Sequence, residues 1–194
     1  MILGARGVLW PVLKQSDHFP VLKDLIKTTQ NSAVTILDLG CGAAELSDVF
    51  VEYFYVGADL ENIIEDVAMK LHPDKNYISF DIYAGADACS FIGDYDIVVM
   101  NAFIDILQYP IIGLENVLIN AQKYVIIHRQ RFDDENSTDV IKNPSYGGST
   151  YQSIINSNEF QTIIRKHKFR IVKELNVYND SKSLLLEKEK LFLM

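Results

Sequence analysis

The sequence predicts an α/β fold in which helices cover both faces of a doubly wound, mostly parallel seven-stranded sheet with a C-terminal antiparallel hairpin. Three observations carry that prediction. Five short apolar runs, at 34–39, 55–58, 77–81, 96–100 and 124–129, alternate with stretches whose apolar residues recur at helical spacing. Each run closes on or beside a polar residue: Asp38, Asp59, Asp81, Asn101 and His128. The last two runs, 169–178 and 183–189, are joined around Asn179, Asp180 and Ser181, too short a connection for a crossover, so they pair antiparallel.

A chain of 194 residues suits one domain with a real core. Residues 1–194 therefore read as a single domain, with an N-terminal helical flap over 1–30 and a long loop over 129–153. No window of about 18 apolar residues exists, and Arg6 and Pro11 break the apolar start, so neither membrane insertion nor a signal peptide is expected. The protein reads as cytoplasmic. Cys41 and Cys89, without a C-x-x-C pair, suggest neither a disulfide framework nor a thiolate metal site. A net charge of −8 opposes phosphate-backbone binding and disfavours a nucleic-acid partner.

Taken in order, Leu22, Leu25 and Ile26 predict a helix between Asp17 and Thr29, with Pro20 in its first turn. Trp10, Pro11, Val12 and Leu13 before it read as a flap on the core, with a substrate lid as the alternative. Val34, Ile36, Leu37 and Leu39 then surround Asp38 in a buried parallel strand. Gly40 and Gly42 end it, and Leu46, Val49, Phe50 and Tyr53 predict an amphipathic helix directly afterwards. The strand ending at Asp59 leads to a helix with Asn62 and Glu65 spaced as a capping box and Ile64, Val67, Ala68 and Leu71 as its buried face. After the strand ending at Asp81 a short helix is expected over 84–91. DIVVM leads to Asn101, and a helix over 113–121 precedes YVIIHR. The polar segment 129–153, punctuated by Pro144, Gly147 and Gly148, reads as a loop. Asn156 and Glu159 then cap a helix built on Phe160, Ile163 and Ile164.

Open α/β sheets bind ligands beyond the C-terminal ends of their strands, so polar residues at five strand ends form a candidate site. Asp59 lies about 20 residues beyond the glycine turn, where an acid takes ribose hydroxyls; the plainer reading is an acid at a helix start. Asp81 suits an exocyclic amine or a simple cap. A dinucleotide fingerprint needs a third glycine where this chain has Glu45, and that acid would repel a pyrophosphate. It is more compatible with an ammonium or sulfonium, as S-adenosylmethionine carries.

On D-x-G-x-G-x-A at 38–44, Asp59, Asp81 and the DIVVMN strand, the sequence resembles the class I S-adenosylmethionine-dependent methyltransferases, whose fold is Rossmann-like with a reversed last strand. The resemblance implies that Asp38 and the backbone of Gly40, Cys41, Gly42 and Ala43 hold the methionine part, Asp59 with Leu60 the ribose, Asp81 with Ile82 the adenine, and Asn101 the methionine end. Ala44 stands where the family usually has a third glycine. More narrowly, ILQYP, YVIIHR and PSYGGSTYQSI are similar to methyltransferases associated with cell-surface polysaccharide synthesis. The expected activity is methyl transfer to a small-molecule or carbohydrate acceptor; an NAD-binding oxidoreductase and a non-catalytic binding module are the alternatives. His128 is the candidate base for a hydroxyl or amine acceptor, a structural histidine being the plainer reading. Tyr146, Tyr151, Arg129 and Arg131 either shape an acceptor pocket or lie in solvent. Asp133, Asp134 and Glu135 read as a solvated run, and no metal is expected. The basic cluster over 165–170 suits a helix C-terminus.

Overall fold

Ile36, Leu37 and Leu39 are buried completely, and strands buried on both faces belong in the middle of a sheet. The computed structural model describes residues 2–3, 9–10, 13–29, 33–145, 148–178 and 180–189, and it has that arrangement. A small antiparallel pair, β1 (Ile2–Leu3) and β2 (Leu9–Trp10), precedes α1 (Phe19–Thr28). The main sheet contains β3 (Thr35–Leu39), β4 (Phe54–Asp59), β5 (Asn76–Ser79), β6 (Ile97–Asn101), β7 (Tyr124–Asp133), β10 (Phe169–Tyr178) and β11 (Ser181–Lys188), in the order β10-β11-β7-β6-β3-β4-β5. β3 to β7 run parallel; β11 is antiparallel to β7, and β10, antiparallel to β11, runs in the direction of the others.

Alternation along the strands divides the core in two. Leu37, Leu39, Val98, Met100, Val125 and Ile127 face α3 (Pro110–Asn120) and α4 (Ser157–Lys166) through Leu114, Val117, Phe160 and Ile164. Ile36, Val99, Ile126 and Leu185 face α1 through Leu22, Leu25 and Ile26. The doubly wound architecture and the terminal hairpin are as the sequence predicts. Leu13 packs into the second core cluster; Pro11, Val12 and Tyr146 lie outside the described residues. No described helix is long and apolar enough to cross a membrane.

Four local expectations fail. The helix after the glycine turn is a single 3-10 turn, Glu45–Asp48, although Leu46, Phe50 and Tyr53 are buried as expected. A helix reaching Tyr53 leaves no residues for the chain to reverse before β4 starts at Phe54. The next helical stretch, α2, comprises Glu61–Ile63, a π segment Ile64–Ala68 and Met69–Leu71. Its capping box does not form, since no side chain caps its start, and Leu71 is exposed. In place of a helix over 84–91 there are turns and a 3-10 segment Ser90–Asp94, because Asp81 caps a turn and Gly85 takes a φ of +99°.

The largest difference is at 129–153. β7 continues to Asp133, and the polar segment folds as an antiparallel pair, β8 (Asp139–Ser145) and β9 (Gly148–Asn156). β9 pairs parallel with β7 at Arg131, Phe132 and Asp133. Arg131 already pairs with Ser181 on its other edge, so β9 occupies the edge that β6 vacates after Asn101. The hairpin therefore stands above the C-terminal end of β6.

Candidate functional site

Strand order reverses at β3, whose neighbours are β4 on one side and β6 on the other, so the crevice outside the ends of β3 and β6 is the switch point where such sheets bind ligands. The glycine turn follows β3. Gly40 and Cys41 both donate their N–H groups to the Ala58 carbonyl, at 2.8 and 3.2 Å, which folds the turn back over β4. Gly40 takes a φ of +71° and Gly42 one of +50°, a left-handed backbone that costs other residues about 1–2 kcal/mol. Ala44, at the position of the family's third glycine, adopts it too, with a φ of +56°. The Cys41 thiol packs on Gly57 and leaves only its backbone for a ligand.

The acids at the strand ends are laced together. Asp59 accepts the Gly42 N–H at 2.9 Å on one oxygen and the Leu60 N–H at 2.8 Å on the other, and its carbonyl accepts the Phe80 N–H at 3.0 Å. Gly42, Asp59 and Asp81 thus adjoin. Burial raises the Asp59 pKa, opposed by the two N–H donors. Asp38 lies beneath the turn, 3% exposed, and accepts the Tyr55 hydroxyl at 2.9 Å. Burial pushes its pKa up to about 7, against the Tyr55 hydrogen bond and with the help of the Asp59 charge. The Asp81 carboxylate accepts the Tyr83 N–H at 2.9 Å and caps its own turn, while the Ile82 side chain is buried in the core. Glu45 accepts the Leu13 N–H at 3.1 Å and so anchors the N-terminal segment, a role the sequence did not suggest.

Across the switch point, Asn101 pairs in register with His128, and Ala102, at a φ of +51°, donates its N–H to the His128 carbonyl at 3.0 Å. The Asn101 side-chain oxygen is buried and has no protein partner. The Phe103 ring comes within 2.3 Å of where a Gly40 Cβ would stand, so β3 and β6 meet there across the crevice. Phe103 in turn approaches Phe80 at 6.2 Å between centroids, and Phe80 approaches Phe91 at 5.7 Å.

The expectation that His128 is the catalytic base needs correction. It is 1% exposed, with Nδ1 at 2.6 Å from the Ser183 hydroxyl and Nε2 at 2.9 Å from Nδ1 of His18. Both nitrogens are engaged inside the protein. Burial, then the charges of His18 and Arg129, bring its pKa down to about 2; burial and Arg129 bring that of His18 to about 4. The pair is neutral and ties α1 to the end of β7. Here two residues of β7, His128 and Arg129, lie against one of β11, Ser183, between the pairs Ile127–Leu184 and Gln130–Lys182, a β-bulge at Arg129, whose φ is +67°.

The structure thus brings Gly40, Gly42, Asp59 and Leu60 together at the switch point, with Asp38 below, Asp81 adjoining and Asn101 opposite. It turns His128 inward. Sequence reasoning missed Tyr55, Phe80, Phe103 and His18. Phe103, two residues beyond a strand-end asparagine, carried a positional signal; His18 and Ser183 carried none.

No family model matches this chain, and no curated protein matches it in sequence. Solved structures do. The N-terminal domain of EvdMO1, crystallised with S-adenosylhomocysteine and D-fucose, is similar at a TM-score of 0.64 and 11% identity, over 90% of this chain and 84% of that one. Magnesium protoporphyrin IX methyltransferase from Synechocystis PCC 6803, with bound S-adenosylmethionine, gives a TM-score of 0.62 at 15% identity, over 92% of this chain and 81% of that one. CalS10, an amino pentose methyltransferase from Micromonospora echinaspora, gives 0.62 at 10% identity, over 94% and 98%. The fold is therefore the Rossmann-like one that these structures share.

Proposed function

We propose that the protein is a cytoplasmic enzyme that uses S-adenosylmethionine to methylate a small-molecule or carbohydrate acceptor. One observation carries the reading: a glycine turn tied by Gly42 to the Asp59 carboxylate at 2.9 Å, set at the switch point of a fold whose neighbours were crystallised with S-adenosylmethionine or its homocysteine product.

The residues fit that group. A Cβ at Gly42 would meet nothing within 4 Å, so the turn's backbone is open to a ligand, and residues 40–43 take the methionine part. Each Asp59 oxygen accepts one N–H and keeps lone-pair capacity for a ribose hydroxyl. Leu60, 50% exposed beside it, and the Phe80 and Phe103 rings offer apolar surface to the adenine, whose amine Asp81 meets beside Ile82. The unpartnered Asn101 oxygen and the Asp38 carboxylate meet the ammonium.

When bound, S-adenosylmethionine supplies a methyl group on a sulfonium that is already a good leaving group. The chain's part is then to hold the acceptor in line and exclude water, and positioning alone supplies about 7–11 kcal/mol. A neighbour crystallised in the presence of D-fucose and another that is an amino pentose methyltransferase favour a sugar-like acceptor, in keeping with a role in polysaccharide synthesis. Titration calorimetry tests the reading: S-adenosylhomocysteine should bind and NAD should not. Binding of NAD alone would make the protein an oxidoreductase, and binding of neither a non-catalytic module.

A further inference from the structure

Among the described residues, four buried side-chain polar atoms around the end of β6 and along β7 lack a protein hydrogen-bond partner: Asn101 Oδ1, which is left to the ammonium, and Asp105 Oδ1, Arg129 Nε and Gln130 Oε1. Leaving such an atom unmet costs about 1–3 kcal/mol, so the last three, Asp105, Arg129 and Gln130, need an account as one cluster.

They converge for identifiable reasons. Asn101 is opposite His128, so Arg129 and Gln130 follow on β7 where β6 has ended. Asp105 lies in the 3-10 turn Ile104–Ile106 that follows β6. That turn is pinned under the hairpin: the Ser153 hydroxyl of β9 donates to the Ile104 carbonyl at 3.0 Å, and the Gln130 amide donates to the Ser153 carbonyl at 3.2 Å. Gln130 is 1% exposed, its amide held there and to the Arg131 carbonyl while its oxygen has nothing to accept from. The bulge does the aiming. Val125 and Ile127 pack in the same core as Phe132, so the face alternation of β7 slips by one residue at Arg129.

We propose that this cluster is the acceptor site, that it takes a polyhydroxylated ligand of the sugar class, and that the Asp105 carboxylate receives the proton of the hydroxyl being methylated. The inference rests on the methyltransferase reading. Two oxygen acceptors beside one N–H donor match a ligand whose neighbouring hydroxyls mostly donate. As the acceptor oxygen forms its bond to the methyl carbon, the methyl–sulfur bond breaks with its electron pair left on sulfur. The O–H proton passes to Asp105, which later loses it to water. Burial pushes the Asp105 pKa up to about 6, against the pull of Arg129 and Arg131 on β7; β9, packed on the same turn, carries no charged side chain. A carboxyl tuned towards neutrality is suited to accept a proton and return it.

The test uses the whole chain saturated with S-adenosylhomocysteine, with D-fucose, D-glucose and D-glucosamine as probes at tens of millimolar. NMR of the Arg129 Nε–H and of the ¹³C-labelled Asp105 carboxyl should move with at least one probe. That probe, given S-adenosylmethionine, should be methylated with a rate that falls below about pH 6. Asp105→Asn should lower the rate at least 100-fold and abolish that acid limb, Asp105→Glu should recover part of it, and both should bind S-adenosylhomocysteine within about twofold of wild type. No response to any probe, or an Asp105→Asn enzyme with wild-type rate and pH profile, would overturn the proposal while leaving the methyltransferase reading intact. Failure of S-adenosylhomocysteine itself to bind would instead sink that underlying reading.

Discussion

The two sides of the crevice are built on opposite terms. On the β3–β5 side every acid at a strand end is answered from within: Asp59 by Gly42 and Leu60, Asp38 by Tyr55, Asp81 by Tyr83. On the β6–β7 side Asn101, Asp105, Arg129 and Gln130 each keep a buried polar atom unmet. Internal hydrogen bonds hold the first side in shape before anything binds, as suits a group common to many relatives. The second side leaves the polar atoms of Asp105, Arg129 and Gln130 for whatever enters, as the proposed acceptor requires. Strain is shared by both: Ala44, Ala102 and Arg129 are three of the four described non-glycine residues in left-handed backbone, and all three rim the crevice.

The largest effect is expected where the two sides touch. Gly40→Ala must accept a φ of +71° and also displace the Phe103 ring, so it should cost about 2–5 kcal/mol in chemical denaturation, from backbone strain of about 1–2 and overpacking of about 1–3. Gly42→Ala has the strain without the clash and should cost only about 1–2 kcal/mol. Equal costs would mean that Phe103 does not press on the turn. Next comes the brace itself. Asp59→Ala removes the charged hydrogen bonds from Gly42 of the turn and from Leu60, and at about 1.5–3 kcal/mol it should weaken S-adenosylhomocysteine binding roughly 10- to 150-fold by calorimetry. Undiminished binding would take Asp59 out of the site.

The histidine pair separates structure from function on the β7 side. His18 is held neutral, its pKa brought from 6.5 to about 4, so the unfolded chain takes up the proton first as the pH falls. Its contribution to stability is full above about pH 6.5 and is lost progressively down to about pH 4. Asp38 and Asp105, whose pKa values are raised, act in the opposite direction over much of that range, so the whole-protein curve is shallow. The informative measurement is therefore a difference: the stability of His18→Gln relative to wild type should improve by about 1–3 kcal/mol between pH 6.5 and pH 4. A gap that does not change with pH would mean that His18 titrates freely.

What could be read in advance follows the same division. Strands buried on both faces announce themselves as continuous apolar runs, so β3, β4, β6 and β7 were legible, as were the acids that close them. β8 was not, because Asp139, Ile141 and Lys142 are exposed and the strand shows no apolar alternation. The site was half legible for a related reason. Asp59 lies at a fixed distance from a glycine turn, a relation written along the chain. Asp105 feels the charge of Arg129, which stands in the β7 bulge, and that bulge is carried by an arginine in left-handed backbone, to which no residue type pointed. His128 misled because strand-end position does not say which way a side chain turns.

The smallest effects test whether the strained alanines are tolerated or required. Replacing either by glycine relieves about 1–2 kcal/mol of backbone strain and returns about 0.4–1 kcal/mol through the freer unfolded chain. At Ala102, which is half-buried, the balance should be a gain of about 0.5–1 kcal/mol in denaturant unfolding, with S-adenosylhomocysteine affinity unchanged. Ala44 is fully buried, and losing its methyl should take back about 0.8 kcal/mol, leaving Ala44→Gly close to neutral even though it restores the family's third glycine. A clear gain at Ala44 instead would mean that its methyl packs poorly. A loss of affinity in Ala102→Gly would mean that the strained backbone there itself holds the ligand's shape, and the division between a braced side and an open one would have to be redrawn.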